Sequence, residues 1–299
     1  MFNLQPKRLV KLQPHARTRS RGVLRCGMNV TPKRMSAPRR IVPGGTGLLL
    51  DIIRELSLTA NLNFVLDAAD RRSYDGSSQT WTDATGQGNN FFLGIDGTAT
   101  ATDPTFVGTA GKADEGTYFS FDGGDYFTET AAHTFADAWH KDNGAFSIVC
   151  VYYPIAVAPF TVFSNTPTGL TDGITLESEG GAVLQMHHAT TNLAFETVST
   201  TPSVTTSSAW NFGGVSFLES GPTSNMRING NALAPATAAS TCTDNNSQPM
   251  RIGAYGDATN PNASGSRIAC VAGWATNIGA TALNNIYTFL KSRRFPSLP

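Results

Sequence analysis

The chain has 299 residues, 29 of them Gly, and only 15% of its residues are charged. This length accommodates one large β domain, and abundant Gly with many Thr, Ser and Asn is typical of a turn-rich β protein rather than a helical one. The most apolar stretch, residues 47–58, contains three charged residues and is shorter than the roughly 20 residues that cross a bilayer, so no membrane span is predicted.

The formal net charge of zero conceals an asymmetry between the start of the chain and the remainder. Eleven of the 22 basic residues precede the first acid, Asp51, and they are Lys7, Arg8, Lys11, Arg17, Arg19, Arg21, Arg25, Lys33, Arg34, Arg39 and Arg40. The remainder carries 11 basic and 22 acidic residues, a formal charge of −11. Residues 1–45 are also interrupted by Pro, so they predict an extended arm that binds a negatively charged partner. The first 30 residues lack the apolar run of a secretory signal.

The first element predicted after the arm is a short helix with a linker, within residues 46–61. Leu49, Ile52, Ile53 and Leu56 recur at the spacing that places side chains on one helix face. We expect this apolar stripe to cover the open end of a β domain.

Residues 62–299 predict a β domain in which short strands alternate with turns. Strands are expected at 62–66, 118–122, 145–153, 160–164, 173–177, 182–187, 193–198, 210–218, 225–228, 250–254 and 266–275. Both faces of 145–153 are apolar, which predicts a central strand covered on both sides. In strand 266–275 the face that begins with Arg267 carries smaller side chains than the opposite, apolar face. The strand is therefore predicted to pack chiefly on one side. Asn229-Gly230 predicts a hairpin turn.

The chain is predicted to end in a helix over residues 280–293. Leu283, Ile286, Tyr287 and Leu290 follow a helical spacing, and basic residues lie near the end of the segment, where they complement the helix dipole.

Four segments in order carry a resemblance to a known family: residues 66–70 (LDAAD), 81–90 (WTDATGQGNN), 119–127 (FSFDGGDYF) and 251–274, which ends in IACVAGW. Their order and spacing resemble laminin G-like domains of the concanavalin A-like lectin/glucanase type, including those of tailed-phage structural proteins. The resemblance covers roughly residues 62–295 and implies an antiparallel jelly-roll β-sandwich. We therefore predict an all-β fold with a short C-terminal helix and an extended N-terminal arm.

The resemblance and the charge asymmetry together predict a non-enzymatic virion structural protein, namely a head decoration, spike or tail component anchored by its basic arm. The expected partners are other virion proteins and copies of the same chain, in particles assembled in the host cytoplasm. Nucleic acid stays an alternative partner for the arm, although no aromatic residue follows Phe2 there to stack on bases. The alternative function is a carbohydrate-binding module for surface attachment.

Aromatic side chains are the candidate contacts for such a glycan, and they are Tyr74, Trp81, Tyr126 and Tyr255, together with Trp210. Each has a structural alternative, because most Trp residues of a sandwich lie in its core. Asp122 and Asp125 are candidate Ca²⁺ ligands of the kind that some laminin G-like domains use. Their alternative is a turn stabilised by its own Asp side chains.

A glycoside hydrolase is a third function to weigh, because relatives on this fold include such enzymes. These enzymes place two carboxylates across the scissile bond. The nearest pattern is Glu177-Ser178-Glu179, whose two acids share a strand face. His187 and His188 point to opposite faces of a strand, so they cannot bind one metal together. Residues 44–47 lack the Lys of a phosphate loop, and no cofactor or metal is expected.

The cysteines Cys26, Cys150, Cys242 and Cys270 show neither a metal-ligand spacing nor the density of a disulfide scaffold. Cys150 and Cys270 lie inside apolar strands, where a free thiol behaves as a small apolar side chain. They predict buried free thiols and assembly in a reducing compartment.

Overall fold

The computed structural model describes residues 45–131, 136–141, 143–155, 160–168, 172–179, 183–189, 195–199, 205–218, 224–233 and 248–299. These residues belong to one compact unit, Val42–Pro299. The basic residues of the predicted arm lie outside the described ranges, as do Cys26 and Cys242.

The described elements are mostly short strands. The strands are β1 (Leu62–Asp67), β2 (Thr80–Trp81), β3 (Phe91–Leu93), β4 (Thr105–Val107), β5 (Tyr118–Ser120), β6 (Phe127–Glu129), β7 (Ala145–Tyr153), β8 (Phe160–Ser164), β9 (Ile174–Glu179), β10 (Val183–Ala189), β11 (Phe195–Ser199), β12 (Asn211–Leu218), β13 (Asn225–Ile228), β14 (Asn231–Leu233), β15 (Arg251–Ile252) and β16 (Arg267–Trp274). The helices are α1 (Leu49–Glu55), α2 (Ala136–Trp139) and α3 (Gly279–Arg293).

The strands form two antiparallel sheets, as the predicted sandwich requires. Sheet A has the order β14-β13-β12-β7-β16-β5-β4, and β1 also pairs with β16. Sheet B has the order β11-β10-β9-β8-β15-β6-β3-β2. Each sheet thus has eight described strands, and neighbours in a sheet often lie far apart in sequence. The described part of the chain is therefore an all-β sandwich with a C-terminal helix.

The core between the two sheets contains many aromatic side chains. Trp139 stacks on Phe146 with ring centroids 5.3 Å apart and an interplanar angle of 8°. Trp81 meets Phe119 and Phe127 at centroid distances of 4.9 and 4.8 Å. Such offset and tilted contacts are favourable for aromatic rings and bury large apolar areas.

A second apolar cluster lies on the outer face of sheet A, where α1 and α3 pack. Leu283, Ile286, Tyr287 and Leu290 of α3 are buried there, as their spacing predicts. Helix α1 buries its apolar residues in the same cluster, so the expectation that it covers an open end of the sandwich is wrong. The prediction that strand 266–275 packs chiefly on one side is also wrong, because the helices cover the second face of β16 and bury its residues after Arg267.

Two arginines at the end of α3 connect the helices to each other and to sheet A. Arg294 Nη1 lies 2.6 Å from Asp67 Oδ1, and both side chains are fully buried. The same guanidinium donates to the carbonyl oxygen of Thr117, and Asp67 Oδ2 accepts from the N–H of Leu49. Arg293 forms a second, more exposed ion pair with Glu55 of α1. The end of α3, the start of α1 and β1 are therefore joined at one place.

Several strands begin and end where the sequence predicts. The bounds of β7, β8 and β13 agree with the expected ones, and β7 lies between β12 and β16 with both faces buried. Asn229 has φ of 51° at the turn between β13 and β14, so the predicted hairpin is confirmed. Among the described helices, none has the length and apolar character needed to cross a membrane.

Candidate functional site

The face of sheet B that points away from the core carries polar side chains. On β9 and β10 the core side chains are those of Ile174, Leu176, Leu184 and Met186. Successive side chains of a strand alternate between its faces. The outward side chains of these two strands are therefore Thr175, Glu177, Gln185 and His187.

The carboxylate of Glu177 is the centre of a buried polar cluster on this face. Its Oε1 lies 3.1 Å from Nε2 of His187, and its Oε2 accepts a hydrogen bond of 2.9 Å from the hydroxyl of Tyr255. Glu177 is 2% exposed and His187 is 7% exposed. The contact with His187 becomes an ion pair when the imidazole is protonated.

Strand register explains how these groups meet. Gln185 is the direct cross-strand partner of Glu177, and His187 is the partner of Thr175. His187 is therefore diagonal to Glu177 across the antiparallel pair, within reach of a long side chain. Gln185 is partly exposed, unlike the buried Glu177. We refer to Glu177, Gln185, His187 and Tyr255 as the sheet B cluster.

Arg251 extends the polar face toward the middle of sheet B. It lies between Ser164 and Thr128 in the strand register. Its guanidinium lies 5.1 Å from the ring centre of Tyr126 and donates to the carbonyl oxygen of Gly256. Burial lowers the pKa of Arg251 from its usual value. A buried cation of this kind is stabilised by the aromatic ring and by the carbonyl that it contacts.

Loop 253–262 carries Tyr255 across the polar face of sheet B. The side chain of Asn262 donates to the carbonyl of Thr161 and accepts from its N–H, at 3.0 and 2.7 Å. The N–H of Gly256 donates to the carbonyl of Thr166 at 2.7 Å. A Cβ at Gly256 would lie 2.7 Å from the carbonyl carbon of Asn165, so the two backbones approach too closely for a larger residue. These contacts fix the position from which Tyr255 reaches Glu177.

A group of hydroxyls lies beside the sheet B cluster. Ser164 Oγ is 2.7 Å from Thr175 Oγ1 and 2.9 Å from Thr166 Oγ1, and the two threonine hydroxyls are 2.5 Å apart. The hydroxyl of Thr161, the other cross-strand partner of Glu177, is buried and makes no hydrogen bond with the described residues. The outer face of sheet B is thus polar on several adjacent strands.

The predicted glycan contacts lie in different places. Trp81 is fully buried in the core, and Tyr74 is buried against Phe119 with ring centroids 4.8 Å apart. Burial also raises the pKa of Tyr74 to about 12. Tyr126 and Tyr255 are buried as well, but they lie against Arg251 and Glu177 on the polar side of sheet B. The fifth candidate, Trp210, is buried against Phe295. Only two of the five, Tyr126 and Tyr255, are therefore associated with the candidate site.

The two candidate Ca²⁺ ligands form a turn. Asp125 Oδ2 accepts the N–H of Asp122 at 2.7 Å, and Asp122 Oδ1 accepts the N–H of Gly124 at 2.8 Å. Asp125 is buried, and this burial raises its pKa to about 7. In the described part of the chain, no group of three or more His, Cys, Asp or Glu side chains is arranged to hold a metal ion.

Other predicted residues lie partly or wholly outside the described part. The basic residues of the arm are not described, and neither are the side chains of Glu179 and His188. Sequence reasoning named Glu177 but missed its contacts with His187 and Tyr255. Alternation along β9 and β10 indicates that Glu177 and His187 face outward, but only the strand register brings them together.

Comparison with known proteins gives similarity of fold. No family model and no curated protein matches the chain. Among solved structures, the binding domain of botulinum neurotoxin serotype G matches with a TM-score of 0.54 and 12% identity, over 78% of this chain and 52% of that one. The receptor binding domain of botulinum neurotoxin D matches with a TM-score of 0.51 and 11% identity, over 76% and 52% of the respective chains.

A smaller domain matches over a shorter stretch. The CBM40 of Ruminococcus gnavus IT-sialidase, solved with α2,3-sialyllactose, has a TM-score of 0.47 and 12% identity, over 57% of this chain and 95% of that one. This chain spans about half the length of the neurotoxin domains that it matches. At these identities the similarity concerns the fold alone. The described part of the chain is a two-sheet sandwich similar in fold to the neurotoxin binding domains.

Proposed function

We propose that the chain is a non-catalytic carbohydrate-binding module that holds a glycan against the outer face of sheet B. The observation that carries this proposal is the Glu177 carboxylate, held by His187 and Tyr255 beside the partly exposed Gln185. Sugar hydroxyls both donate and accept hydrogen bonds, so a fixed carboxylate and an amide are suitable partners. Groups that are already oriented lose little conformational freedom when the ligand binds.

The difference between the two outer faces supports this location. Helices α1 and α3 cover the outer face of sheet A, and the contact there is apolar. The outer face of sheet B instead carries polar groups, namely the buried carboxylate, imidazole and guanidinium of Glu177, His187 and Arg251 and the partly exposed amide of Gln185. A few well-placed polar groups are what give orientation and specificity in ligand sites. The similarity of fold to receptor-binding domains supports a binding role in general.

A binding role fits Glu177 better than a hydrolytic one. Hydrolysis requires a second carboxylate across the scissile bond. The cross-strand partners of Glu177 are Thr161 and Gln185, and both of its carboxylate oxygens already contact a partner side chain. A carboxylate held in this way is suited to positioning a ligand.

The test is a glycan array followed by calorimetric titration of the best ligand, with three variants of the whole chain. Gln185→Ala removes the partly exposed amide, and Glu177→Gln replaces the carboxylate with an amide of the same shape. We expect each to weaken binding by about tenfold or more, as for the loss of one or two strong hydrogen bonds. Thr80→Ala is the control, because β2 lies five strands from β9, about 24 Å across the sheet.

Two results would count against this proposal. The first is a chain that binds no glycan on the array. The second is a glycan whose affinity is the same for wild type, Gln185→Ala and Glu177→Gln, because binding would then take place elsewhere. Retained folding of each variant is checked by its thermal unfolding midpoint.

We also propose, from the charge asymmetry and from the resemblance of residues 62–295 to domains of tailed-phage structural proteins, that residues 1–45 anchor the domain to other proteins of a virus particle. Eleven basic residues against a remainder of charge −11 favour contact with acidic protein surfaces. Deleting residues 1–45 is expected to abolish incorporation into particles, measured by the protein content of purified virions. Normal incorporation of the shortened chain would contradict the anchoring role.

A further inference from the structure

Arg267 lies between two tyrosine rings on sheet A. Its guanidinium carbon is 4.4 Å from the ring centre of Tyr153 and 4.9 Å from that of Tyr118. Trp210 packs edge-on against both tyrosines, with ring centroids 5.7 Å from Tyr118 and 5.5 Å from Tyr153. We call Tyr118, Tyr153, Trp210 and Arg267 the aromatic–arginine cluster.

Strand pairing brings this cluster together. Arg267 is the first residue of β16 and pairs with Tyr153 at the end of β7. Tyr118 is the first residue of β5, which pairs with β16 on its other side. Trp210 directly precedes β12, which pairs with β7. The cluster therefore stands on regular strands of sheet A, apart from the sheet B cluster, and it is independent of the proposed glycan site.

The N–H donors of the Arg267 guanidinium are not used in hydrogen bonds within the described residues. Within the described residues no carboxylate pairs with Arg267 and no acceptor takes its N–H groups, whereas Arg72, Arg293 and Arg294 each pair with a carboxylate. The hydroxyls of Tyr118 and Tyr153 also make no hydrogen bond with described groups. Arg267 and both tyrosines are partly exposed, so the cluster reaches the surface of the described unit.

The geometry limits what the guanidinium can bind. The centres of the two tyrosine rings lie 4.9 and 4.4 Å from the guanidinium carbon, and the N–H donors make no hydrogen bond with described groups. Those donors form a fork that matches the two oxygens of a planar carboxylate. The flanking rings supply apolar surface for the body of a ligand and reduce the hydration of the cation.

We propose that the aromatic–arginine cluster is a binding site for the carboxylate group of a small ligand. Arg267 holds both carboxylate oxygens, and the edges of Tyr118 and Tyr153 contact the adjoining part of the molecule, while the buried Trp210 supports the two tyrosine rings. A sugar acid has both parts, whereas acetate has the charge and almost no body.

The experiment follows the arginine Nε–Hε signals of the whole chain by NMR during titration with acetate, glucuronate, glucose and inorganic phosphate. We expect acetate and glucuronate to shift the Arg267 signal, with glucuronate binding about tenfold more tightly because its ring adds apolar contact. Glucose, which has no charge, is expected to leave the signal in place. Phosphate is expected to bind more weakly than glucuronate.

Two variants connect the signal to the site. Arg267→Gln keeps a planar polar group but removes the charge, and it is expected to weaken glucuronate binding by about tenfold or more, measured by calorimetry. Arg54→Gln is the matched control, because Arg54 is an exposed arginine on α1. It is expected to leave the affinity unchanged.

The inference is overturned if acetate and glucuronate leave the Arg267 signal of the wild type in place, if phosphate binds more tightly than glucuronate, or if Arg267→Gln binds glucuronate as wild type does. The wild-type titration needs no variant to fold. Gln185→Ala is expected to bind glucuronate normally at Arg267, so failure of the glycan site on sheet B and failure of this site give different results.

Discussion

Asp125 has a buried carboxyl group whose protonation is linked to folding. Burial raises its pKa from 3.8 to about 7, and the nearby charges of Asp122 and Asp103 act in the same direction. The folded state thus holds this proton at pH values where the unfolded chain has released it. We expect the contribution of Asp125 to stability to be complete below about pH 4 and to be lost as the pH rises to about 7, with a slope of at most about 1.4 kcal/mol per pH unit.

The measurement compares urea unfolding of wild type and Asp125→Asn between these pH values. Asn keeps an acceptor for the N–H of Asp122 but does not titrate. The variant should therefore gain stability relative to wild type as the pH rises. Asp96→Asn, in an exposed turn, is the control for removing a carboxylate. A difference between Asp125→Asn and wild type that stays constant with pH would refute the linkage.

Single residues were partly predictable from the sequence. Most Trp residues of a sandwich lie in its core, which was the structural alternative for Trp81, and the structure places it there. The acids of the 122–125 turn were predicted either to bind Ca²⁺ or to stabilise a turn, and their hydrogen bonds are those of a turn. The association of Glu177 with Tyr255 was not predictable, because 78 residues separate them and no local pattern fixes that distance.

At the scale of elements, the ion pair between Arg294 and Asp67 fastens the end of α3 to β1. Both side chains are 0% exposed. Removing one partner leaves the other charge buried without compensation, and such changes cost about 3–5 kcal/mol. We expect Arg294→Ala to lower the free energy of unfolding by this amount, measured by urea denaturation.

The adjacent Arg293 provides a control on the same helix. It pairs with Glu55 near the surface, where solvent screens the attraction. Arg293→Ala should shift the urea midpoint only slightly. Equal decreases in the free energy of unfolding for the two substitutions would show that burial does not increase the contribution of the Arg294–Asp67 pair to stability.

The longer strands were predictable and the shortest were not. β7, with nine residues, and β8, with five, are long enough to show an apolar pattern. β2, β3, β4 and β6 have two or three residues each, which is too short for any period. The second face of β16 was misjudged because its cover comes from α3 and from α1, and α1 lies more than 200 residues away in sequence.

At the scale of the whole molecule, two buried thiols report on global unfolding. Cys150 and Cys270 are free, lie in the two neighbouring strands β7 and β16, and are almost fully buried. Burial raises the pKa of both thiols, so the reactive thiolate is scarce. We expect a thiol reagent to label them only when the sandwich opens as a whole.

The measurement uses a chain with Cys26→Ser and Cys242→Ser, so that only these two thiols remain. The labelling rate should increase with urea in parallel with the unfolding monitored by circular dichroism. Rapid labelling of either cysteine in the absence of urea would mean that sheet A opens locally.

The class of fold was predictable as a whole, whereas the arrangement of its surfaces was not. Turn residues, short strands and one terminal helical pattern favoured a sandwich, and two antiparallel sheets are present. Which outer face is polar depends on the strand order within each sheet, and strands that are neighbours in space, such as β15 and β8, are distant in sequence. The virion role depends on residues 1–45 and stays a prediction.

Helices α1 and α3 bring both ends of the described unit to the same side. A Cβ at Gly45 would touch the guanidinium of Arg293, and the carbonyl of Pro299 accepts a hydrogen bond from the hydroxyl of Tyr287. Tyr287 and Arg293 are six residues apart on α3, which is about 9 Å of helix. Sheet B faces the other way. Immobilising the domain on a sensor chip through either end should therefore leave the sheet B cluster directed into the flowing solution, while random coupling through surface lysines would not.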